Sequence, residues 1–272
     1  MRPDDLGDVA ELTAAAFSRD ISDPGAAERW RSRIAHPWQT DPDGAFVAEL
    51  DGRVVGAAEA IVRERLWCLS MLAVRPEIQS AGAGRMLLKH AVAYGSPGDP
   101  GLIVSSNDPR ALRLYAASGF SLHPTFAAHG SVDRRGLPRS GADVRADDVG
   151  DLESFEELTR AVRGAPYTRE LPFVLGRGDR LLRLSDRGFA VLAEEGRVWG
   201  LVASDEDAAR ALLCSALSLV EGQATVRWIT GAQPWAIDVL VRAGLTLVPN
   251  GALCVRGSPG RLRPFLPSAP FA

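Results

Sequence analysis

Val74-Arg75-Pro76-Glu77-Ile78-Gln79-Ser80-Ala81-Gly82-Ala83-Gly84-Arg85 joins an apolar run to a helical one, and its reading decides the fold. Pro76 lacks an N–H and ends the strand before it. Gly82 and Gly84 permit backbone angles that other residues avoid, and they let a ligand come close to the main chain. The helix that follows offers unpaired N–H groups and the positive end of its dipole. Arg85 adds a cation at the rim. Strand, glycine turn and helix N-terminus together make an anion site suited to a pyrophosphate. A helix-entry turn built of small residues is the plainer reading of the same letters.

Upstream of this loop, Leu66 to Val74 reads as a largely apolar strand. Phe46 to Leu50 and Val54 to Val62 flank Asp51-Gly52, a strong hairpin signal. Asp5 to Phe17 carries Leu6, Val9, Leu12 and Phe17 at helical spacing, and Trp30, Ile34 and Trp38 mark a second helix. Downstream, Arg85 to Tyr94 is a helix, Leu102 to Ser105 a short strand and Pro109 to Ser118 another helix, with a strand from Phe120 onward. A hairpin followed by alternating helices and strands predicts an α/β fold, in detail an α+β mixed sheet, mostly antiparallel and flanked by helices.

The chain also repeats itself. Arg2-Pro3-Asp4-Asp5-Leu6-Gly7-Asp8-Val9 reads like Arg145-Ala146-Asp147-Asp148-Val149-Gly150-Asp151-Leu152. Gly52-Arg53-Val54-Val55-Gly56 matches Gly196-Arg197-Val198-Trp199-Gly200, and Ala111 and Gly119 match Ala236 and Gly244. Three matches in register predict two tandem domains, 1–138 and 139–272, joined near the Gly, Pro, Ser and Arg stretch 134–141. The end, Ser258 to Ala272, reads as an extended tail packed back by Phe265 and Phe271.

Composition narrows the function. With 272 residues the chain suits two domains, and 46% apolar against 24% charged residues is a globular balance. A net charge of −3 argues against a general nucleic-acid binder. Cys68, Cys214 and Cys254 are odd in number and far apart, so neither a disulfide framework nor a zinc site is expected, and no metal. The polar start is no signal peptide and no apolar run reaches the ~18 residues of a membrane helix. A cytoplasmic protein is expected, without nucleic-acid or membrane partners.

Asn107-Asp108-Pro109-Arg110-Ala111-Leu112-Arg113-Leu114-Tyr115-Ala116-Ala117-Ser118-Gly119-Phe120 follows the loop. The two segments in this order resemble the signature motifs of the GNAT acyltransferase superfamily over roughly residues 1–130. Gln79-x-x-Gly82-x-Gly84 is similar to that family's Q/R-x-x-G-x-G/A loop. The second segment is similar to its N-x-x-A-x-x-L-Y-x-x-x-G-F motif, displaced by one residue at Asn107. The resemblance implies acetyl-CoA as co-substrate, lying in a V-shaped gap between the strands Leu66–Val74 and Leu102–Ser105. It implies that Leu72, Ala73 and Val74 pair with the pantetheine arm. Gln79, Ser80, Ala81, Gly82, Ala83, Gly84 and Arg85 would hold the pyrophosphate, and Asn107 would help hold the cofactor. An acceptor amine, on a small molecule or a protein, would attack the thioester directly, and Tyr115 would protonate the leaving thiolate.

The general base is not given by the motif. The central strand Trp67-Cys68-Leu69-Ser70-Met71-Leu72 holds no carboxylate, which leaves Glu59 and Glu64 on the preceding segment as candidates. His123 and His129 could line the acceptor groove. Cys68 has no histidine near it in sequence and direct attack needs no nucleophile. In the second copy the loop is gone: Ser204-Asp205-Glu206-Asp207 stands there, and Leu240 stands where Tyr115 would be. Those carboxylates suit a helix N-terminus and would repel an anion. The second copy is therefore expected to be degenerate and to make the chain an internal pseudo-dimer, as a monomer or a homodimer. Trp199, Trp228 and Trp235 could complete the acceptor groove or pack in the core. The reading from a different class is a non-catalytic acetyl-CoA sensor or partner module.

Overall fold

A computed structural model describes residues 1–79, 82–138, 141–147, 153–167 and 169–272. Ser80 and Ala81 of the glycine loop lie outside the described residues, as does Asp148 to Leu152 of the repeat. The chain divides into two compact units, Met1–Gly101 with Pro270–Ala272, and Leu102–Ala269.

In the first unit β1 (Ala45–Leu50), β2 (Arg53–Arg63) and β3 (Leu66–Val74) form an antiparallel sheet in sequence order. The β1–β2 turn has Asp51 and Gly52 at positive φ (51° and 74°), the combination a two-residue hairpin needs. The strands are apolar on both faces because both are covered. Helices α1 (Leu6–Ala16) and α2 (Pro24–Thr40) pack on one side, where Val9, Leu12 and Ile34 meet Val54, Ala57, Met71 and Ala73. Helix α3 (Ala83–Ala93) packs on β2 and β3 too. A Cβ at Gly56 of β2 would touch Leu87 of α3, so the residues flanking Ala57 face the opposite side. Asp41 ends α2 and is buried. Its carboxylate accepts from Arg63 Nη1 at 2.8 Å, from the Val62 N–H at 3.0 Å and from the Tyr94 hydroxyl at 3.1 Å, which ties the far ends of α2, β2 and α3 together.

The second unit holds β4 (Gly101–Ser105), α4 (Pro109–Ala117), β5 (Ser121–Ser131), β6 (Arg145–Asp147), α5 (Glu156–Val162), α6 (Glu170–Leu175), β7 (Arg180–Arg183), β8 (Gly188–Leu192), β9 (Arg197–Ala203), α7 (Glu206–Ser218), β10 (Gln223–Thr230), α8 (Pro234–Arg242), β11 (Thr246–Arg256) and β12 (Phe265–Leu266). Its strands run in the order β4-β11-β5-β10-β9-β8-β7-β6, with β12 on β9. Only β10 against β9 is parallel among the registers that the described residues give. Helices α7 and α8 share a core with β8, β9 and β10 through Leu212, Leu213, Trp235, Val239, Leu240, Ala190, Leu201 and Val226.

The units do not follow the repeat. The last long strands of the two halves, β5 and β11, pair with each other antiparallel, from Thr246↔His129 to Val255↔Ser121. Each is flanked on its other side by the other half's preceding strand, β10 beside β5 and β4 beside β11. The first half's β4, α4 and β5 are thereby built into a sheet with the second half. The expected division 1–138 and 139–272 follows the repeated letters, whereas packing cuts the chain after Gly101.

One landmark of the repeat needs correction. The Gly52-Arg53 turn joins β1 to β2, but the Gly196-Arg197 turn joins β8 to β9. Strand β9 leads into α7 as β3 leads into α3, so β9 corresponds to β3 and β8 to β2. The shared letters reflect the same turn chemistry in two different hairpins. The first half has three antiparallel strands before α3, β1 to β3, and the second has four before α7, β6 to β9. The second half loses its strand-to-helix junction, which runs from Arg75 to Gly82 in the first half and is only Ser204-Asp205 in the second.

Candidate functional site

The first unit carries Glu59, Glu64, Leu72, Ala73, Val74, Gln79 and Gly82 to Arg85; the second carries Asn107 and Tyr115. At the end of β3, Ala73 is buried in the core while Leu72 and Val74 are half-buried on the opposite face. The carbonyl of Val74 accepts from Gln79 Nε2 at 3.0 Å, so the glutamine closes the loop onto its own strand.

Gly82 is the N-cap of α3, at φ 92° and ψ −9°, a left-handed conformation that favours glycine. Among the described residues nothing lies within 4 Å of where its Cβ would stand. The N–H groups of Arg85 and Met86 both turn back to the Gly82 carbonyl at 3.1 Å. Gly82 has no side chain to cap the first-turn amides that precede them, and Arg85 is exposed beside them. A helix N-terminus opened by a left-handed glycine, with space in front and a cation at its edge, fits a pyrophosphate.

Glu59 stands in the middle of Ala57-Ala58-Glu59-Ala60-Ile61, a charged residue inside an apolar strand. It is completely buried, opposite Met71 of β3. Its nearest cation is Arg33 of α2, with Nη1 at 3.6 Å, which is an ion-pair distance too long for a hydrogen bond. Burial pushes its carboxyl up to about 8, against the opposing pull of Arg33. Desolvation therefore outweighs the ion pair. Neither Glu59 oxygen has a hydrogen-bond partner among the described residues, and nor does the buried hydroxyl of Ser70. Arg33 Nη2 donates to the Ser70 carbonyl at 2.7 Å, so its guanidinium lies between the β3 backbone and the Glu59 carboxyl. His36, also buried, has its imidazole lowered to about 4 by burial and by Arg63 and Arg33. Sequence reasoning missed Arg33, Ser70 and His36. The only local signal was a glutamate with no polar neighbour in its strand, which demands a partner from elsewhere.

Glu64 is different. It lies exposed at positive φ in the β2–β3 turn, bordering a surface pocket of about 460 Å³ with Val62, Arg65, Tyr94 and Asp99. His123 and His129 are exposed on β5, and Cys68 is buried and in no disulfide.

In the second unit Asp108 caps α4, accepting from the Arg110 N–H at 2.9 Å. Tyr115, on the second turn, is buried. Burial raises the pKa of its phenol, with Cys254 and Asp108 adding to the shift, so the group stays protonated. Asn107 is engaged within the protein: its Oδ1 accepts from the Gly251 N–H at 2.5 Å and its Nδ2 donates to the Pro249 carbonyl at 3.4 Å.

The second half's matching junction is closed by its own groups. Asp205 caps α7, accepting from the Ala208 N–H at 2.9 Å, from Arg187 Nη2 at 2.7 Å and from Ser204 Oγ at 2.7 Å. Burial works against its charge, but these donors hold its carboxyl at about 2. Beside it, β9 and β10 pair only at Thr225↔Arg197 and Val226↔Val198. Past that point the edge of β9 takes the tail: Phe265 and Leu266 of β12 pair with Val202 and Leu201. Gln233 secures the tail, its Nε2 donating to the Leu262 carbonyl at 2.8 Å and its Oε1 accepting from the Phe265 N–H at 3.2 Å. Phe265 and Phe271 are both buried, as the sequence led us to expect. Leu240 is in the core, Trp199 and Trp235 are buried, and Trp228 donates to the Ser105 carbonyl at 3.3 Å.

Comparison with known proteins agrees with the motifs. Residues 8–120 match the model of the acetyltransferase (GNAT) family. Mycothiol acetyltransferase of Streptomyces coelicolor is 33% identical over 121 residues, 42% of this chain and 38% of that protein. The match therefore spans well under half the length of that relative. A protein of Pyrococcus horikoshii, a candidate acetyltransferase, shares the fold at a TM-score of 0.78 and 18% identity, over 100% of this chain and 91% of that one. A tandem GNAT protein from the clavulanic acid biosynthesis pathway shares it at 0.59 and 17% identity, over 93% and 94%. Residues 8–120 are similar to the GNAT acetyltransferase family, and the chain shares the fold of a tandem GNAT protein. No helix among the described residues is long and apolar enough to cross a membrane, and none of their His, Cys, Asp and Glu side chains form a group of three or more that could hold a metal ion.

Proposed function

We propose that the chain transfers an acetyl group from acetyl-CoA to an amine, on a small molecule or a protein, in a ternary complex. The observation that carries this reading is the left-handed Gly82 at the head of α3, within a segment that matches the acetyltransferase family. The amides of that helix turn and Arg85 bind the pyrophosphate, and the edge of Leu72 to Val74 pairs with the pantetheine arm. The amine nitrogen attacks the thioester carbon, the C–N bond forms and the C–S bond breaks. Glu59 takes the proton from the amine, directly or through water, and Tyr115 gives one to the departing thiolate. A carboxyl held near 8 is a far stronger base than an ordinary glutamate, which suits it to an amine.

Thiol release from acetyl-CoA, measured across a panel of amines that includes the acceptor of the mycothiol acetyltransferases, tests the reading. Release that depends on an amine is expected. Tight acetyl-CoA binding with no amine-dependent release would leave a sensor module instead.

Glu59 makes a second expectation. The profile of kcat/KM should rise with pH through about 8, and this limb should vanish in Glu59→Gln. Stability moves the opposite way. The folded-state pKa lies above the unfolded value, so the folded chain holds a proton there that the unfolded chain has lost, and stability falls as pH rises between about 4.5 and about 8. Each pH unit in that window costs about 1.4 kcal/mol. The melting temperature of Glu59→Gln should thus gain on the wild type from pH 5 to 8 and then stay level. A constant difference would mean that Glu59 is ionised throughout.

A further inference from the structure

We propose that β11, the last long strand of the degenerate half, is a positioning element for the reaction: its bulge at Asn250-Gly251 fixes the junction between β4 and α4, and through it the angle at which α4 presents Tyr115. This rests on the reading of Tyr115 as the acid.

The pairing of β11 with β5 is regular up to Pro249↔Phe126 and resumes at Ala252↔Pro124. Two residues, Asn250 and Gly251, therefore stand against the single residue Thr125. This is a β-bulge, a device that re-aims a backbone group at one point of a sheet. Thr125 Oγ1 pins it by donating to the Asn250 carbonyl at 2.5 Å. Gly251, at φ 68°, turns its N–H onto Asn107 Oδ1 at 2.5 Å, and the Pro249 carbonyl receives Asn107 Nδ2. A Cβ on Gly251 would lie 2.0 Å from the Ser105 carbonyl oxygen, so main chain meets main chain at a distance that only glycine allows. Trp228 of β10 donates to that same Ser105 carbonyl.

Ser105 ends β4, Asn107 follows it, Asp108 caps α4 and Pro109 opens it. Three groups of the second half thus hold the two residues that set where α4 begins. Helix α4 also packs on β11, with Cys254 close to Tyr115. A helix seven residues into its course is rigidly coupled to its first turn, so an error at Asn107 is carried to Tyr115. Proton delivery tolerates little misplacement, since a shift of about 1 Å can cost ~10²-fold in rate. The second half lacks a cofactor loop of its own, and this clamp gives it a part in the chemistry of the first.

The test compares Asn107→Ala, Asn107→Asp and Tyr115→Phe in the full chain. Asn107 is at the surface, so its variants should fold, and Asp keeps the acceptor for the Gly251 N–H. Expected is a fall in kcat of at least about tenfold for Asn107→Ala, with the Kd for CoA by calorimetry changed less than about twofold and kcat restored in Asn107→Asp. Gly251→Ala should repeat the kcat effect. A loss of CoA affinity that matches the loss of turnover would make Asn107 a cofactor ligand and overturn the proposal. Normal turnover in Asn107→Ala beside an impaired Tyr115→Phe would overturn the clamp alone. Normal turnover in Tyr115→Phe would overturn both the clamp and the role of the tyrosine.

Discussion

Tyr115→Phe is expected to lower kcat by about 10²- to 10³-fold, with the Kd for acetyl-CoA nearly unchanged. The phenol is buried and its pKa is raised. It therefore holds its proton at any working pH and is available as a donor when the thiolate forms. Phenylalanine keeps the ring and its packing on α4, so the fold and the binding of the ground state are preserved. The loss belongs in kcat because the proton moves only in the transition state. Steady-state thiol release, with calorimetry for binding, separates the two quantities. Equal turnover in the variant would reduce Tyr115 to a packing residue.

Gly82→Val is expected to abolish measurable acetyl-CoA binding while the protein still folds. Space is not the obstacle within the chain, since nothing among the described residues would meet the new Cβ. The conformation is: a β-branched residue at φ 92° is a genuine outlier. Left-handed backbone costs a non-glycine residue about 1–2 kcal/mol, which a folded domain can absorb. The chain would relieve that strain by moving the turn, and the amides of Ala83 and Gly84 would no longer converge. The branch would also fill the open space that the pyrophosphate is expected to use. Gly84→Val, in the first turn of α3, should act in the same direction. Wild-type affinity in a folded variant would remove this loop from the cofactor site.

Local chemistry was legible and long-range pairing was not. The β1–β2 hairpin was read to within a residue because Asp51-Gly52 admits few other turns. Strand β3 and the start of α4 were equally clear, one ended by Pro76 and the other capped by Asp108 ahead of Pro109. The insertion of β11 between β4 and β5 left no mark in sequence, because strand order depends on partners more than a hundred residues away. That is why Asn107 read as a cofactor residue while its side chain meets Gly251. Glu59 could be singled out as a carboxylate in an apolar strand, but its partner Arg33 sits on a helix whose pattern shows only the Trp30, Ile34 and Trp38 stripe. The repeat was found, yet its middle landmark matched two different hairpins, since Gly-Arg-Val follows a turn in each.

The same comparison of halves argues that only one of them binds acetyl-CoA. The second has two residues where the first has an eight-residue junction, from Arg75 to Gly82. Its helix is capped by Asp205, with Glu206 and Asp207 in the first turn, and a bound phosphate would face those charges at a cost on the order of 1 kcal/mol for each pair. The strand edge that a pantetheine arm would need is taken by Phe265 and Leu266. Calorimetric titration of the full chain with CoA tests this most directly. Saturation at one equivalent per chain, lost altogether in Gly82→Val, is the predicted result; two equivalents, or one equivalent retained in the folded variant, would contradict it.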